Sequence, residues 1–255
     1  MAVPQNTILD GKFLDTQELI SPSASVIESK KEFQLLDREI KKHIPEFKLA
    51  DLNIKMAYQA DTLTAIEEVA QIELLDFRNK SNTVAVNVLT FNFPDDETKT
   101  IYTARIETMA ESENYKGFEV VGDEVILKFS QDGEILNFNG VEALPNNPDY
   151  SPGNTVTTQA LDWIDGKFCL DNEKAGKRYR HCGPGCGDGM GLGGGTPING
   201  LDSCCRAHDR CWKNFGNGDK CCDKTLASCI DPYQGQDYAT WLQINTYFQP
   251  RGWLC

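Results

Sequence analysis

The sequence predicts an α+β N-terminal domain with an antiparallel sheet, followed by a C-terminal, disulfide-rich, all-α domain. All ten cysteines of the 255-residue chain lie between Cys169 and Cys255. Charge divides at nearly the same place, because residues 1–150 carry 27 acidic and 14 basic side chains, whereas residues 151–255 carry 11 of each. Two changes in composition at one boundary indicate two domains more strongly than chain length does.

The N-terminal domain is predicted to span residues 1–142 and to place its helices before its strands. Apolar residues recur at helical spacing over residues 25–44 and again over residues 61–75. Alternating apolar residues then predict five strands, with Asp132 and Gly133 as the hairpin turn between the last two. These strands are 83–93, 100–106, 118–121, 125–129 and 135–138.

Residues 143–157 are rich in Pro, Asn and Ser, and are predicted to link this domain to a C-terminal domain at residues 158–255. The pattern in the C-terminal domain favours a short helix, a glycine-rich loop, two consecutive helices and a final apolar segment. Their predicted bounds are 160–168, 181–200, 201–215, 222–230 and 238–248.

The composition indicates an exported protein. Ten cysteines within about ninety residues is the density of a disulfide scaffold, which requires an oxidising compartment, so we expect a secreted protein. The first residues lack the basic and apolar regions of a signal peptide, and we expect that a signal has been removed ahead of Met1. A net charge of −13 disfavours nucleic acid as a partner and simple adsorption to anionic membranes.

Four cysteines predict how the two consecutive helices pair. Cys204 and Cys211 lie seven residues apart on one face of the first helix, as do Cys222 and Cys229 on the second. The connecting turn is short, so the helices should be antiparallel. In that arrangement Cys204 is level with Cys229 and Cys211 with Cys222, and two disulfides would lock the helices together.

The remaining cysteines are only partly assigned by such geometry. Cys205 points about 100° away from its neighbour on the helix, and Cys182 in the preceding loop is the candidate partner. The residues leave the pairing of the last four open. Structural zinc is a weaker alternative, because the chain lacks the Cys-x-x-Cys knuckles or paired histidines of most zinc sites. The four unassigned cysteines are Cys169, Cys186, Cys221 and Cys255.

His208 lies on the cysteine-bearing face of the first helix and is expected to point between the two helices. Antiparallel pairing puts Asp223 level with residue 210, within one turn of His208. A carboxylate behind a histidine fixes its tautomer and stabilises the imidazolium, as general-base catalysis requires. Asp209 is expected to point about 100° away, toward the glycine-rich loop.

The glycine-rich loop has the composition of a calcium site rather than a phosphate site. A P-loop would need a following Gly-Lys-Ser/Thr, which this loop lacks. Glycine-rich backbone can turn several carbonyl oxygens inward, and carbonyls together with the Asp209 carboxylate suit Ca²⁺. The loop begins with His181-Cys182-Gly183-Pro184-Gly185.

Taken together, these residues resemble the secreted phospholipase A2 family over about Cys169 to Ile230, a quarter of the chain. Each piece alone is weak, but the combined spacing is specific. The resemblance rests on Cys182-Gly183-x-Gly185, Pro197-x-x-x-Leu201-Asp202-x-Cys204-Cys205-x-x-His208-Asp209-x-Cys211, and Cys222-Asp223 with Ala227 and Cys229.

The resemblance implies a role for each matching residue. His208 matches the family's general base, and Asp223 matches the carboxylate behind it. Asp209 matches the calcium-binding carboxylate, while His181, Gly183 and Gly185 match the positions whose backbone carbonyls bind calcium. The Gly183 N–H also matches a donor to the oxyanion. The family's cysteine pairing agrees with the pairs expected above, including Cys182 with Cys205.

The sequence also departs from venom and pancreatic members of the family. The calcium loop is longer before Pro197, and Trp212 stands where those members have a tyrosine that hydrogen-bonds the aspartate. Only nine residues, Trp212–Lys220, lie between Cys211 of the first helix and Cys221 at the start of the second, so the usual β-hairpin is missing. These features resemble microbial or plant short forms more closely.

The resemblance implies calcium-dependent hydrolysis of the sn-2 ester of glycerophospholipids at a membrane interface. A non-catalytic membrane-binding or toxin protein on the same scaffold, or a cysteine-rich antimicrobial peptide cut from a precursor, are the alternatives. Two roles for the N-terminal domain also stay open. The domain is either a pro-region that inhibits by covering the lipid-facing surface, or a passive targeting or solubilising module.

Overall fold

The chain forms two compact units in a computed structural model. The first unit contains residues 1–11, 61–70 and 136–255, and the second contains residues 12–60 and 71–135. Both units therefore include residues of the predicted N-terminal domain. The predicted domain boundaries at 142/143 and 157/158 concern which segments fold independently, and they stay predictions. The structure describes residues 7–15, 29–135, 137–153, 166–172 and 176–255.

A seven-stranded sheet with sequential strand order, β1 to β7, provides most of the second unit, and one helix, α1 (Lys31–Lys41), packs against it. The pairs from β3 to β7 are antiparallel. The ends of β1, β2 and β3 that include residues 8–11, 61–63 and 69–70 belong to the first unit. The strands are β1 Ile8–Phe13, β2 Asn53–Leu63, β3 Val69–Arg78, β4 Val84–Asn92, β5 Thr98–Glu107, β6 Tyr115–Val121 and β7 Glu124–Gln131.

The core of the second unit lies between α1 and one face of the sheet. Leu36 and Ile40, one turn apart on α1, are fully buried because helical spacing places them on the same side. They pack with alternate residues of the strands, such as Phe77, Val86 and Ile106. The predicted strands at 83–93, 100–106, 118–121 and 125–129 are confirmed within a few residues, as is the described part of the predicted helix at 25–44.

The predicted helix over residues 61–75 is wrong, because this stretch is a β-hairpin. Apolar residues three apart mimic a helix, but Ala70, Ile72 and Leu74 also alternate along the chain and are buried on one face of β3. Pairing with β4, in which Leu74 lies opposite Leu89, selects the period of two. Thr64 closes the hairpin through a backbone hydrogen bond to the Glu68 carbonyl at 2.9 Å.

The predicted strand at 135–138, with its turn at Asp132-Gly133, is also wrong for the residues that the structure describes there. β7 ends at Gln131, and Ile135 packs against Tyr115 instead of extending a strand. The last hairpin turn falls earlier, between β6 and β7. The described part of the predicted helix at 160–168 is not helical, and the rest lies outside the described residues.

Three helices dominate the first unit: α2 (Gly200–Phe215), α3 (Lys220–Ile230) and α4 (Tyr238–Gly252). Each begins at a side chain that accepts hydrogen bonds from the first turn, namely Asn199, Asp219 or Asp237. A short two-stranded sheet, β8 (Asp171–Asn172) with β9 (Lys177–Arg178), precedes them. None of the described helices combines the length and apolar character needed to cross a membrane.

Five disulfides connect these elements and use all ten cysteines. The three expected pairs are confirmed, and the zinc alternative is wrong because no cysteine is left as a thiolate ligand. The loop before α2 is tied to the segment that precedes it, and the C-terminal residue is tied to α3. The pairs are Cys204–Cys229, Cys211–Cys222, Cys182–Cys205, Cys169–Cys186 and Cys221–Cys255.

Candidate active site

A cleft of about 830 Å³ in the first unit brings together most of the residues that the sequence singled out. Its volume lies within the usual range for small-molecule sites. Side chains from α2 and α4, the loop before α2 and two segments from the start of the chain line it. Among the lining residues are His181, Gly183, Gly185, His208 and Asp209. Asp223 lies directly behind His208.

His208 and Asp223 form a buried pair. The Nε2 atom of His208 lies 2.8 Å from Oδ1 of Asp223, and the two side chains are 6% and 0% exposed. A carboxylate only accepts, so Nε2 carries the hydrogen and Nδ1 holds the lone pair of the neutral ring. The contact agrees with the level expected from antiparallel pairing, and it orients a proton acceptor at the cleft.

Two further side chains donate to Asp223. Trp212 Nε1 donates to Oδ1 at 3.1 Å, so the indole and His208 bond the same carboxylate oxygen. Arg251 Nε donates to Oδ2. The carboxylate is thus held at both oxygens, and a cation beside it offsets the cost of burying its charge.

Arg251 was not among the residues that sequence reasoning identified. It lies in the last turn of α4, and the Cys221–Cys255 disulfide brings that end of the chain to the start of α3. Gly252 permits the approach, since a Cβ there would lie 3.0 Å from the Lys224 Cα. The cysteine pairing that would have pointed to Arg251 was one that the sequence left open.

Aromatic rings shield the histidine from two sides. The His208 ring lies 4.4 Å from the Trp212 ring and 4.8 Å from the Phe248 ring, measured between centroids. Trp212 and Phe248 also line the cleft, together with Leu170 and Ile244. The His208–Asp223 pair therefore lies at a cleft with substantial apolar surface.

Asp202 fastens the glycine-rich loop to α2. This fully buried carboxylate accepts from the backbone N–H of His181 at 2.7 Å, of Arg180 at 3.1 Å and of Ile198 at 2.9 Å. Asp202 therefore accepts hydrogen bonds from both ends of the loop. The Cys182–Cys205 disulfide makes a second connection between loop and helix.

Two carbonyls of the loop form backbone hydrogen bonds to the segment before it. Those of Cys182 and Pro184 accept from Leu170 and Phe168, both at 2.9 Å. The carbonyls expected to bind calcium are those of His181, Gly183 and Gly185, and that of Gly183 also accepts from the Cys186 N–H at 3.1 Å. Gly183 has φ of 126°, and a Cβ there would lie 2.4 Å from the Phe168 carbonyl oxygen, so only glycine fits.

Asp209 has the features of a cation ligand. Its Oδ2 is buried without a hydrogen-bond partner among the described residues and lies 3.9 Å from the equally unpartnered Nδ1 of His181. Burial, followed by the nearby carboxylates of Asp188 and Asp202, raises the pKa of Asp209 to about 7. A buried acceptor with a raised pKa is stabilised by a bound cation, so the residues present fit Ca²⁺.

The donor set would consist mainly of backbone oxygens. Among the described residues, no group of three or more His, Cys, Asp or Glu side chains is arranged to hold a metal. A calcium site here would therefore depend on Asp209 together with the carbonyls of His181, Gly183 and Gly185. Oxygen ligands of this kind suit Ca²⁺ better than a transition metal.

Part of this chain is similar in sequence to phospholipase A2 chains. Three curated relatives are each 39% identical over 59 residues, 23% of this chain. They are the basic phospholipase A2 beta-bungarotoxin A-AL4 chain of Bungarus multicinctus, the basic phospholipase A2 beta-bungarotoxin A1 chain of Bungarus caeruleus and the acidic phospholipase A2 beta-bungarotoxin A4 chain of Bungarus multicinctus.

The match defines a phospholipase A2-like region within the chain. It spans only about two fifths of the length of these relatives, 41%, 38% and 38% respectively. No family model matches the chain. No solved structure matches it either.

Proposed function

We propose that the chain hydrolyses the sn-2 ester of glycerophospholipids at a membrane interface, releasing a fatty acid and a lysophospholipid. The buried His208–Asp223 pair at an apolar cleft is the observation that carries this proposal. The phospholipase A2 names of the three relatives support the reaction class. The five disulfides support secretion, since such bonds persist in oxidising compartments.

His208 would act as the general base. Its Nδ1 takes a proton from a water molecule as the water oxygen attacks the sn-2 carbonyl carbon, while Nε2–H stays bonded to Asp223. The negative carboxylate stabilises the imidazolium that forms. The same proton then passes to the glycerol oxygen as the ester C–O bond breaks, so the histidine returns to its neutral form.

The glycine-rich loop and Asp209 would supply the electrostatic part of the site. Asp209 and the carbonyls of His181, Gly183 and Gly185 would hold Ca²⁺, which when bound supplies a Lewis acid for the ester carbonyl and a counter-charge for the lipid phosphate. The Gly183 N–H is the proposed protein donor to the oxyanion. Calcium dependence is thus part of the proposal.

The test is release of fatty acid from phosphatidylcholine vesicles that carry a labelled sn-2 chain. We expect activity with millimolar calcium, none in EGTA, and a loss of at least about a thousandfold in His208→Gln, because the general base is removed. His43→Gln is the matched control, since His43 belongs to the second unit. Hydrolysis in EGTA, or by His208→Gln, would contradict the mechanism.

A non-catalytic membrane-binding or toxin protein is the competing proposal, and the toxin names of the relatives are the observation that favours it. It predicts vesicle binding without fatty-acid release by the unaltered chain. An antimicrobial peptide cut from the chain predicts killing that survives His208→Gln. Inhibition by the N-terminal region and passive targeting by it both stay predictions.

A further inference from the structure

The tip of the β2–β3 hairpin, Thr64–Glu68, is built into the candidate active site. The Ala65 N–H donates to the Tyr247 carbonyl of α4 at 2.8 Å, and the Ala65 carbonyl accepts from Arg251 Nη1 at 3.1 Å. Ala65 is buried and lines the cleft together with Glu67. This hairpin tip therefore touches α4 at the turn that carries Arg251.

Buried side chains fasten the neighbouring backbone to the same helix. The hydroxyls of Thr62 and Thr246 lie 3.2 Å apart, and the Thr7 hydroxyl donates to the Gln243 carbonyl at 3.3 Å. These threonines are at most 2% exposed. Contacts of this kind belong to a packed interior rather than to a loosely docked flap.

Arg251 connects the hairpin tip to the catalytic pair. Its Nε donates to Asp223, its Nη1 donates to the Ala65 carbonyl, and its guanidinium lies over the Trp212 ring, 5.4 Å from the centroid. The planar guanidinium is rigid, so holding one nitrogen orients the others. The Ala65 carbonyl thus determines where the donor to Asp223 lies.

We infer that Arg251 is a positioning residue of the active site, that it orients Asp223 and through it His208, and that the hairpin tip holds it in place. This inference rests on the proposed function. Trp212 and His208 share one carboxylate oxygen, so without Arg251 the carboxylate is free to turn about that oxygen. The tip of the β2–β3 hairpin then contributes to catalysis by holding Arg251 in place. It neither inhibits the site by covering it nor serves only in targeting.

The first test compares Arg251→Gln with Arg251→Lys in the vesicle assay. The Gln variant should lower kcat about 10- to 100-fold, the effect of losing a charged hydrogen bond, with an apparent KM within about twofold of wild type. The Lys variant should recover part of kcat, because an ammonium reaches Asp223 but cannot also bond Ala65 in the same way.

Arg178→Gln is the matched control, since Arg178 is exposed and pairs with Asp171 away from the cleft. It should leave kcat unchanged. An Arg251→Gln variant with wild-type kcat, or one in which only KM rises, would overturn the inference. Melting temperatures of all variants show whether a loss of kcat reflects unfolding.

The second test shortens the hairpin tip. Asn-Gly in place of Ala65-Ile66-Glu67 makes a two-residue turn between Thr64 and Glu68 and should move the backbone carbonyl that Arg251 uses out of reach. We expect kcat to fall as in Arg251→Gln, and the two changes together to cost little more than either alone. A rise in activity would show an inhibitory hairpin, and multiplicative effects would show independent roles; either result overturns the inference.

A third measurement does not need lipid hydrolysis. The chain has three histidines, so a ¹⁵N-histidine-labelled protein gives few imidazole signals, and His208→Gln identifies the one from His208. Arg251→Gln should shift the His208 Nε2–H signal or speed its exchange, and Arg178→Gln should not. If wild type releases no fatty acid yet this shift occurs, the proposed function fails and the positioning role stands. An unchanged signal overturns the positioning role itself.

Discussion

The two units of this chain are stabilised in different ways. The second unit, called here the sheet unit, has no disulfide in its described part and depends on apolar packing between α1 and one sheet face, with Leu36 and Ile40 fully buried. The first unit, called here the helical unit, carries all five disulfides and buries several ionisable groups, among them Asp202 and Asp223. Covalent links stabilise a region that keeps charged groups inside, where packing alone would favour apolar side chains.

The sheet unit also buries charge, and Asp76 at its centre is paired within that unit. Asp76 accepts from Arg78 Nε at 2.8 Å and from Asn87 at 2.7 Å, and Arg105 donates to Asn87. Burial raises the pKa of Asp76, and the neighbouring guanidinium groups oppose that change. In the helical unit, by contrast, Asp209 Oδ2 and His181 Nδ1 lack partners among the described residues. Unpartnered buried groups at a cleft are typical of a site prepared for a ligand.

The largest expected effect comes from a change of charge without a change of shape at the proposed catalytic pair, His208 and Asp223. Asp223→Asn keeps the size of the side chain but removes the charge that stabilises the imidazolium and fixes the tautomer. We expect kcat to fall about 10³- to 10⁴-fold, by analogy with other histidine–carboxylate pairs. The vesicle assay measures the fall, and hydrogen exchange should find the sheet unit unchanged. An active Asn variant would mean that the carboxylate is only structural.

Phe77→Ala should affect the other unit. Phe77 is 2% exposed and packs edge-to-face on Phe33 of α1 at 5.6 Å between ring centroids. Truncation should lower the free energy of unfolding of the sheet unit by about 3–5 kcal/mol. Urea unfolding followed by hydrogen exchange tests this. Loss of protection in α2 and α3 to the same extent would show that the two units unfold together.

Removing the Cys204–Cys229 disulfide tests the helical unit in the way that Phe77→Ala tests the sheet unit. The paired Cys204→Ser and Cys229→Ser substitutions should cost the helical unit about 2–4 kcal/mol, because the unfolded chain regains freedom. Hydrogen exchange should show the loss in α2 and α3 but not in β4 and β5. Equal protection with and without this disulfide would show that packing, not the covalent link, holds the helices together.

The smallest expected effect concerns pH and Asp209. Its pKa is raised to about 7 in the folded chain, so the folded state binds the proton more tightly than the unfolded state does. Without calcium, stability should therefore decline as the pH rises from about 4 to about 7. We also expect calcium to raise the melting temperature at pH 8, and Asp209→Asn should remove both this rise and the decline with pH. Parallel pH curves for the two proteins would contradict this.

Helix geometry carried the sequence predictions furthest. Cysteines seven residues apart were enough to pair α2 with α3 and to place Asp223 behind His208, because a rigid helix repeats every 3.6 residues. The hairpin at residues 61–75 was missed because apolar residues three apart satisfy both a helix and, in part, a strand. Arg251 was missed because its position depends on the Cys221–Cys255 disulfide, and cysteine pairing of this kind is not determined by local spacing.

The sequence by itself determined the disulfide-rich helical region, the His208–Asp223 pair and the resemblance on which the proposed chemistry rests. All three depend on helical periodicity and on residue types at close spacing. Both can be read from one continuous segment of the sequence. Only the tertiary structure decided that Thr7, Ala65 and Glu67 line the same cleft and that Arg251 joins Ala65 to Asp223. The contact between Arg251 and Ala65 joins residues 186 positions apart, and only packing and hydrogen bonding in the folded chain bring them together.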